Sequence, residues 1–185
     1  LEEAGFAYDS TVGYNACVGY RAGTLQAYRP AGTKELLELP LHVMDTALFY
    51  PGYLNLSPVA AAQVMDEFVA EAAKFGGALT INWHDRSLAP ERQWDGTYVH
   101  LLAALKRANA WCPTASDAAA WFQKRRSVNF ERVEVDGASA QVRLTVKRGA
   151  EKLPALRLRI HNPTAGSHKD VEFRSDLDAS IALQN

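Results

Sequence analysis

The stretch Ala78-Leu79-Thr80-Ile81-Asn82-Trp83-His84 decides the fold that we predict for the larger part of the chain. It is short, apolar, and rich in β-branched and aromatic residues, a composition that favours a buried strand. Gly76 and Gly77 separate it from the preceding segment, and His84 stands at its carboxyl end. Parallel α/β folds collect functional groups at this end of their strands. The stretch therefore predicts a strand of a parallel sheet that ends on a histidine.

Helical patterns precede and follow this strand. Ser57 and Pro58 fit the N-cap and the first position of a helix. Apolar residues then recur at helical spacing, namely Val64, Phe68, Ala72 and Phe75. A second amphipathic helix is predicted over residues 98–108, and a third helix ends near Arg125. The strand thus lies between helices, as in an alternating β/α fold.

Two further strands are predicted upstream. Residues 6–12 are rich in aromatic and β-branched side chains, and residues 36–44 form a nearly continuous apolar run. Pro40 interrupts that run and cannot donate a backbone hydrogen bond to a neighbouring strand. The glycine-rich segment of residues 13–24 is predicted to be a loop or a strand with turns. The resulting alternation over residues 1–125 predicts a parallel sheet or a (β/α) barrel.

The pattern changes after Arg126. Polar and apolar residues alternate at the period of a strand with one exposed face, over residues 130–135, 140–146 and 156–160. Turn signals separate these runs, namely Asp136-Gly137, Gly149 and residues 162–166. We therefore predict an α/β protein in which residues 126–185 form a small antiparallel, β-sandwich-like module.

Composition excludes some classes of function. The 185 residues are 48% hydrophobic and carry a net charge of -1, which gives no electrostatic basis for binding nucleic acid. No apolar run approaches the roughly 20 residues of a membrane span. Cys17 and Cys112 suggest neither a disulfide scaffold nor a zinc ribbon. Residues 1–5 resemble the last turn of a helix with a glycine C-cap, so we expect a preceding segment, and the localisation stays open.

His84 is the first candidate for chemistry. A histidine at the carboxyl end of a buried strand, with Trp83 beside it, suits general acid catalysis because imidazole exchanges protons near neutral pH. The alternative is a histidine that only caps the strand. His42, inside the apolar run, is predicted to be a hydrogen-bonded core residue. Asp45 and Glu38 flank the strand of that run, and a buried Glu38 would need a partner.

Two further residues are candidates at the start of the chain. Asp9 ends the first predicted strand, where a carboxylate can orient a histidine, although Asp-Ser-Thr equally fits a local Asx-turn. Arg21 lies between glycines and can approach a carboxylate or a substrate oxygen, or it forms a surface ion pair. No two histidines have metal-site spacing, and no nucleophile elbow, dinucleotide-binding motif or P-loop occurs.

Four strings in order resemble one branch of the polysaccharide deacetylase family, the NodB-homology carbohydrate esterases. They are Gly5-Phe-Ala-Tyr-Asp-Ser-Thr-Val-Gly-Tyr14, Gly19-Tyr-Arg-Ala-Gly-Thr24, Leu39-Pro-Leu-His-Val-Met-Asp45 and Leu79-Thr-Ile-Asn-Trp-His84. The similarity extends to about Arg125 and matches only the later part of the family pattern. The resemblance implies that residues 1–125 are the C-terminal part of a distorted (β/α) barrel.

The resemblance also implies an activity. Family members remove acetyl groups from N- or O-acetylated sugars with a divalent metal, usually zinc. One aspartate and two histidines hold the metal, a second aspartate acts as the base, and these groups lie in N-terminal motifs that this chain lacks. His84 matches the late histidine that protonates the leaving amine or alcohol. Asp9 matches the carboxylate that tunes the proton affinity of this histidine, and Arg21 would accompany Asp9 in the site.

Two hypotheses follow from the sequence. In the first, the chain is an incomplete polysaccharide deacetylase that acts on acetylated polysaccharides or oligosaccharides together with a missing N-terminal half, which carries the metal ligands. In the second, it is a non-catalytic barrel remnant whose β-module binds a glycan or a protein partner. The sequence leaves the sugar, the linkage and the metal open.

Overall fold

The computed structural model describes residues 1–136, 139–147, 152–162 and 166–182. It divides the chain into two compact units, Leu1–Ala119 and Ala120–Asn185. The division falls inside a helix, Ala115–Arg126, which also contains the end of the first domain predicted from the sequence. No helix in the described ranges is long and apolar enough to cross a membrane.

The first unit alternates short strands with helices. The elements are β1 (Tyr8–Asp9), β2 (Leu37–Glu38), β3 (Leu41–Met44), α1 (Asp45–Phe49), α2 (Pro58–Phe75), β4 (Thr80–Asn82), α3 (Asp95–Arg107) and α4 (Ala115–Arg126). β1 pairs with β2 and β3 pairs with β4, and both pairs are parallel, as the alternation predicted. No barrel closes among the described residues, so the distorted barrel remains a prediction.

The apolar run of residues 36–44 forms two strands rather than one. Pro40 separates β2 from β3 because it has no amide hydrogen for a ladder. The segment that begins with β1 contacts the run both before and after the proline: the Leu39 amide donates to the Asp9 carbonyl at 2.8 Å, and the Leu41 amide donates to the Val12 carbonyl at 3.0 Å. The run therefore joins β1 on one side and presents β3 to β4 on the other.

Helix α2 begins and ends where the sequence predicted. The Ser57 hydroxyl accepts the Ala60 amide at 3.2 Å, and Gly76 ends the helix with a positive φ of 69°. Its buried face was predicted only in part, since Phe68 is buried but Phe75 is 67% exposed. The residues that α2 buries are Ala61, Met65, Phe68 and Val69. The many alanines of this helix leave its apolar face ambiguous in the sequence.

The first core lies between α1, α2, α3 and the β3–β4 pair. Its buried members include Val43 from β3, Leu48 from α1, Met65 from α2 and Leu101 from α3. Leu48 and Met65 are wholly inaccessible to solvent. Truncating such a side chain to alanine costs about 2–5 kcal/mol. Helix α1 is therefore firmly anchored in this core.

The second unit is antiparallel, as predicted. Its strands are β5 (Asn129–Asp136), β6 (Ser139–Thr145), β7 (Leu156–Asn162), β8 (Ser167–Phe173) and β9 (Leu177–Ala182). They form the sheets β5-β6-β9 and β7-β8. Alternate residues of β6 face a second core, and these are Ala140, Val142 and Leu144. The predicted turns at Gly137, at Gly149 and over residues 163–165 lie outside the described residues.

Candidate active site

The parallel pairing of β3 with β4 creates the candidate site. Met44 is the register partner of Asn82, so the two strands end side by side. Asp45 follows Met44 directly and begins α1, and His84 follows two residues after Asn82. Residues that follow the carboxyl ends of adjacent parallel strands lie close together. The local fold therefore brings Asp45 and His84 to the same edge.

The carboxylate of Asp45 is fully buried and accepts four hydrogen bonds. Oδ1 accepts from the Thr46 amide and from Nδ1 of His84, both at 2.6 Å. Oδ2 accepts from the His84 amide and from the Ser87 hydroxyl, also at 2.6 Å. Burying a carboxylate is costly unless hydrogen bonds replace its hydration. These donors hold the Asp45 carboxylate in a single orientation.

This arrangement assigns the two nitrogens of His84. Because a carboxylate only accepts hydrogen bonds, Nδ1 carries a proton and donates it to Asp45. Nε2 is then the atom that can take up or release a proton. The His84 side chain is 30% exposed, whereas that of Asp45 is 0% exposed. The buried carboxylate therefore fixes the imidazole through Nδ1, while the ring stays accessible to solvent. This is the geometry of an oriented general acid or base.

Ser87 is a positioning residue and not a nucleophile in this geometry. It is fully buried, and its hydroxyl donates a hydrogen bond to Asp45. Its amide donates to the His84 carbonyl at 3.1 Å, and its carbonyl accepts from the Trp94 amide at 3.2 Å. These backbone bonds close the turn Asp85–Leu88 that follows His84. Ser87 thus connects the histidine loop to the buried carboxylate.

Aromatic side chains surround this turn. Phe49, at the end of α1, stacks on Trp94 with ring centroids 4.8 Å apart and meets the edge of Trp83 at 6.2 Å. Tyr50 contacts Trp94 at 5.7 Å, and the Arg92 guanidinium lies over both of these rings. Trp83 directly precedes His84. We call Phe49, Tyr50, Trp83 and Trp94 the aromatic cluster. Its ring contacts restrict the movement of the chain around His84.

Asp9 makes hydrogen bonds within its own turn and with Glu38. Its carboxylate accepts from the Ser10 amide at 2.8 Å and from the Thr11 hydroxyl at 2.7 Å, which is the Asx-turn alternative. Nδ1 of His84 is bound by Asp45. The orienting carboxylate that the sequence placed at Asp9 is therefore Asp45 in the structure.

Glu38 forms a second buried carboxyl site, beside Asp9. Its side chain is 1% exposed, and Oε1 accepts the Val12 amide at 2.9 Å. Burial raises the pKa of Glu38, and the charge of Asp9 and a side-chain hydrogen bond with it raise the pKa further. Burial also raises the pKa of Tyr28, with help from both carboxylates. This group supports the junction of β1 and β2.

Arg21 makes its contacts within the loop that carries it. Nη1 donates to the Gly13 carbonyl at 2.7 Å, and the guanidinium lies 5.9 Å from the centre of the Tyr14 ring. Arg21 is exposed. The structure does not bring it to the Asp45–His84 pair through any described contact. Its contribution here is to fold the loop between β1 and β2.

His42 is a hydrogen-bonded core residue, which confirms the prediction. It is 2% exposed, its Nδ1 accepts the Thr80 amide at 3.2 Å, and its Nε2 lies 3.2 Å from the Thr24 carbonyl. These partners require Nε2 to carry the proton. Burial lowers the pKa of His42. The imidazole is thus held neutral as a bridge between β3, β4 and the preceding loop.

The described residues do not offer the set of three or more metal ligands that the family resemblance implies. Within the described ranges, no three histidine, cysteine, aspartate or glutamate side chains are grouped to hold a metal ion. Hydrogen-bond donors also occupy both carboxylate oxygens of Asp45.

Comparisons of the chain with protein-family models, curated proteins and solved structures gave no match.

Proposed function

We propose that His84 is the proton-transfer residue of a hydrolase and that this chain supplies it to the active site of a carbohydrate deacetylase. The observation that carries the proposal is the 2.6 Å hydrogen bond between His84 Nδ1 and a carboxylate with no exposed surface. A strand-capping histidine needs no such buried partner. The resemblance to polysaccharide deacetylases supplies the reaction class.

In the proposed reaction, Nε2 of protonated His84 donates its proton to the leaving amine or alcohol while the bond to the acetyl carbon breaks. His84 is then neutral and regains a proton from solvent. Asp45 keeps the ring oriented through its hydrogen bond to Nδ1. General acid catalysis of this kind contributes roughly 10²- to 10⁴-fold to a rate. Asp45 and Ser87 act through His84 as positioning residues.

The residues that the structure describes do not bind the catalytic metal that the resemblance implies. The family resemblance implies a divalent metal, usually zinc, but the described residues include no group of three or more side chains that could hold it. We therefore derive no step through a metal. In the proposal, its ligands and the attacking water belong to a part of the enzyme outside these residues, as the absence of the family's N-terminal motifs suggested.

The aromatic cluster supports an acetylated sugar as the substrate. Tyr53 is 44% exposed and stacks on Tyr50, whose ring in turn contacts Trp94. The faces of such rings pack against the apolar faces of sugars, and their polar edges reach hydroxyl groups. This surface continues from the end of α1, the helix that begins at Asp45.

Release of acetate from a panel of N- and O-acetylated oligosaccharides, with divalent metal added, tests the proposal. We expect the complete enzyme, in which the proposed metal ligands accompany these residues, to release acetate from at least one member and His84→Ala to lower the rate by about 10²-fold or more. His100→Ala is the matched control, because His100 is also a partly exposed histidine paired with an aspartate, Asp66, at 2.9 Å. No acetate release from any member overturns the deacetylase assignment, and unchanged release by His84→Ala overturns the role of His84.

A further inference from the structure

The β7–β8 hairpin carries a polar ladder on one face. Directly opposed residues in an antiparallel pair lie within side-chain reach of each other. The register opposes Arg157 to Glu172, Arg159 to Asp170 and His161 to His168. These pairs are two residues apart along each strand, so they share one face of the hairpin.

The arginine pairs are matched by opposite charges. Nε of Arg159 donates to Asp170 at 2.8 Å, and Arg157 contacts both Asp170 and Glu172 at 3.4 Å. Arg159 is the main cause of an Asp170 pKa lowered to about 2, and smaller contributions come from His168 and Arg157. Asp170 therefore forms its hydrogen bonds with the arginines and not with the histidines.

The third pair differs because it opposes two bases. The rings of His161 and His168 have centroids 6.0 Å apart and planes inclined at 45°. Both side chains are exposed. Neither ring makes a hydrogen bond within the described part of the chain, so their nitrogens are available. Two imidazoles facing each other across adjacent strands form a bidentate donor set.

The spacing suits a transition metal. A zinc–nitrogen bond is about 2.0–2.1 Å long, so two imidazoles on one ion have centroids roughly 5 to 6 Å apart. The observed centroid separation of 6.0 Å lies at the upper end of this range. Imidazole suits zinc, nickel and copper and does not suit magnesium or calcium, which prefer oxygen ligands.

We propose that His161 and His168 form a surface site for a borderline divalent metal ion, of the zinc, nickel or copper class, with water completing the coordination. The site lies on the second unit and is independent of the proposed deacetylase chemistry. Binding cross-links β7 to β8 and stabilises the hairpin. The metal competes with protons for both rings, so acidification releases it.

Titration of the protein with Zn²⁺, followed by amide chemical shifts, tests the proposal, with a parallel calorimetric titration with Cu²⁺. We expect saturable shifts over Leu156–Asn162 and Ser167–Phe173, and tighter binding of Cu²⁺ than of Zn²⁺. His161→Gln and His168→Gln should each weaken binding at this hairpin at least tenfold, because each leaves a single imidazole.

His100→Gln is the control, because it removes a partly exposed histidine from a helix of the first unit. It should leave the shifts of the hairpin unchanged. Unaltered affinity at the hairpin in both His161→Gln and His168→Gln, or shifts that never reach β7 and β8, would overturn the site. Neither result bears on His84, whose test is acetate release.

Discussion

Nδ1 of His84 donates to Oδ1 of Asp45 across 2.6 Å, and the amide of the same histidine donates to the other carboxylate oxygen at the same distance. Asp45 thus binds both the ring and the backbone of His84. A single carboxylate fixes where the residue sits and how its ring is turned.

Asp45→Asn should destabilise the fold and release the imidazole. An asparagine amide has only one acceptor oxygen, so at least one donor among His84 and Ser87 then faces an N–H group instead of a lone pair. Leaving buried donors unpaired costs about 1–3 kcal/mol, or more where charge is involved. Urea unfolding measures the loss.

Asp9→Asn is the matched control for that substitution. Its carboxylate serves only its own turn and Glu38 in the described contacts, so the ring resonances of His84 should not move. A large shift of the His84 resonances in Asp9→Asn, with none in Asp45→Asn, would contradict the assignment of the orienting carboxylate to Asp45.

Ser87→Ala should have a smaller effect of the same kind. It removes one donor from Oδ2 of Asp45, while the His84 amide continues to donate to that oxygen. The expected loss of unfolding free energy is about 0.5–1.5 kcal/mol, the net value of one hydrogen bond. Acetate release should fall by less than in His84→Ala. Loss of activity equal to that of His84→Ala would instead assign Ser87 a direct part in the chemistry.

Glu38→Gln should change how stability depends on pH. The pKa of Glu38 is raised in the folded state, chiefly by burial, so its stabilising contribution is present at low pH and is lost as pH rises through the folded pKa. Glutamine still accepts the Val12 amide and can donate to Asp9. We expect the variant to gain stability relative to the parent as the pH rises from about 4 to 8. Parallel stability curves for the two proteins would contradict a raised pKa.

The sequence predicted the elements whose signals are local. Ser57-Pro58 and Gly76 bounded α2, alternation predicted the antiparallel second unit, and His84 was expected at a strand end. Each of these depends on neighbours in the chain, on periodicity, or on the geometry of a cap. The local patterns were therefore sufficient to place the histidine.

The partner of the histidine could not be predicted in the same way. Which carboxylate reaches His84 depends on the pairing of β3 with β4, and that pairing joins residues far apart in the chain. Asp45 also begins a five-residue helix, α1, where the sequence showed only the end of an apolar run. Asp9 was chosen by motif similarity, and Ser87 lies in a short turn without any periodic signal. Only the strand pairing shows that Asp45, and not Asp9, is the carboxylate bound to His84.

The most direct test of proton donation by His84 compares two substrates of different leaving group. The complete enzyme, with the proposed metal-binding part present, and its His84→Ala variant are assayed on an N-acetylated oligosaccharide and on 4-nitrophenyl acetate, whose phenolate leaves without protonation. We predict a loss of about 10²-fold or more on the sugar amide, since the amine must be protonated, and a much smaller loss on the aryl ester. Equal losses on both substrates, or none on the amide, would contradict the account.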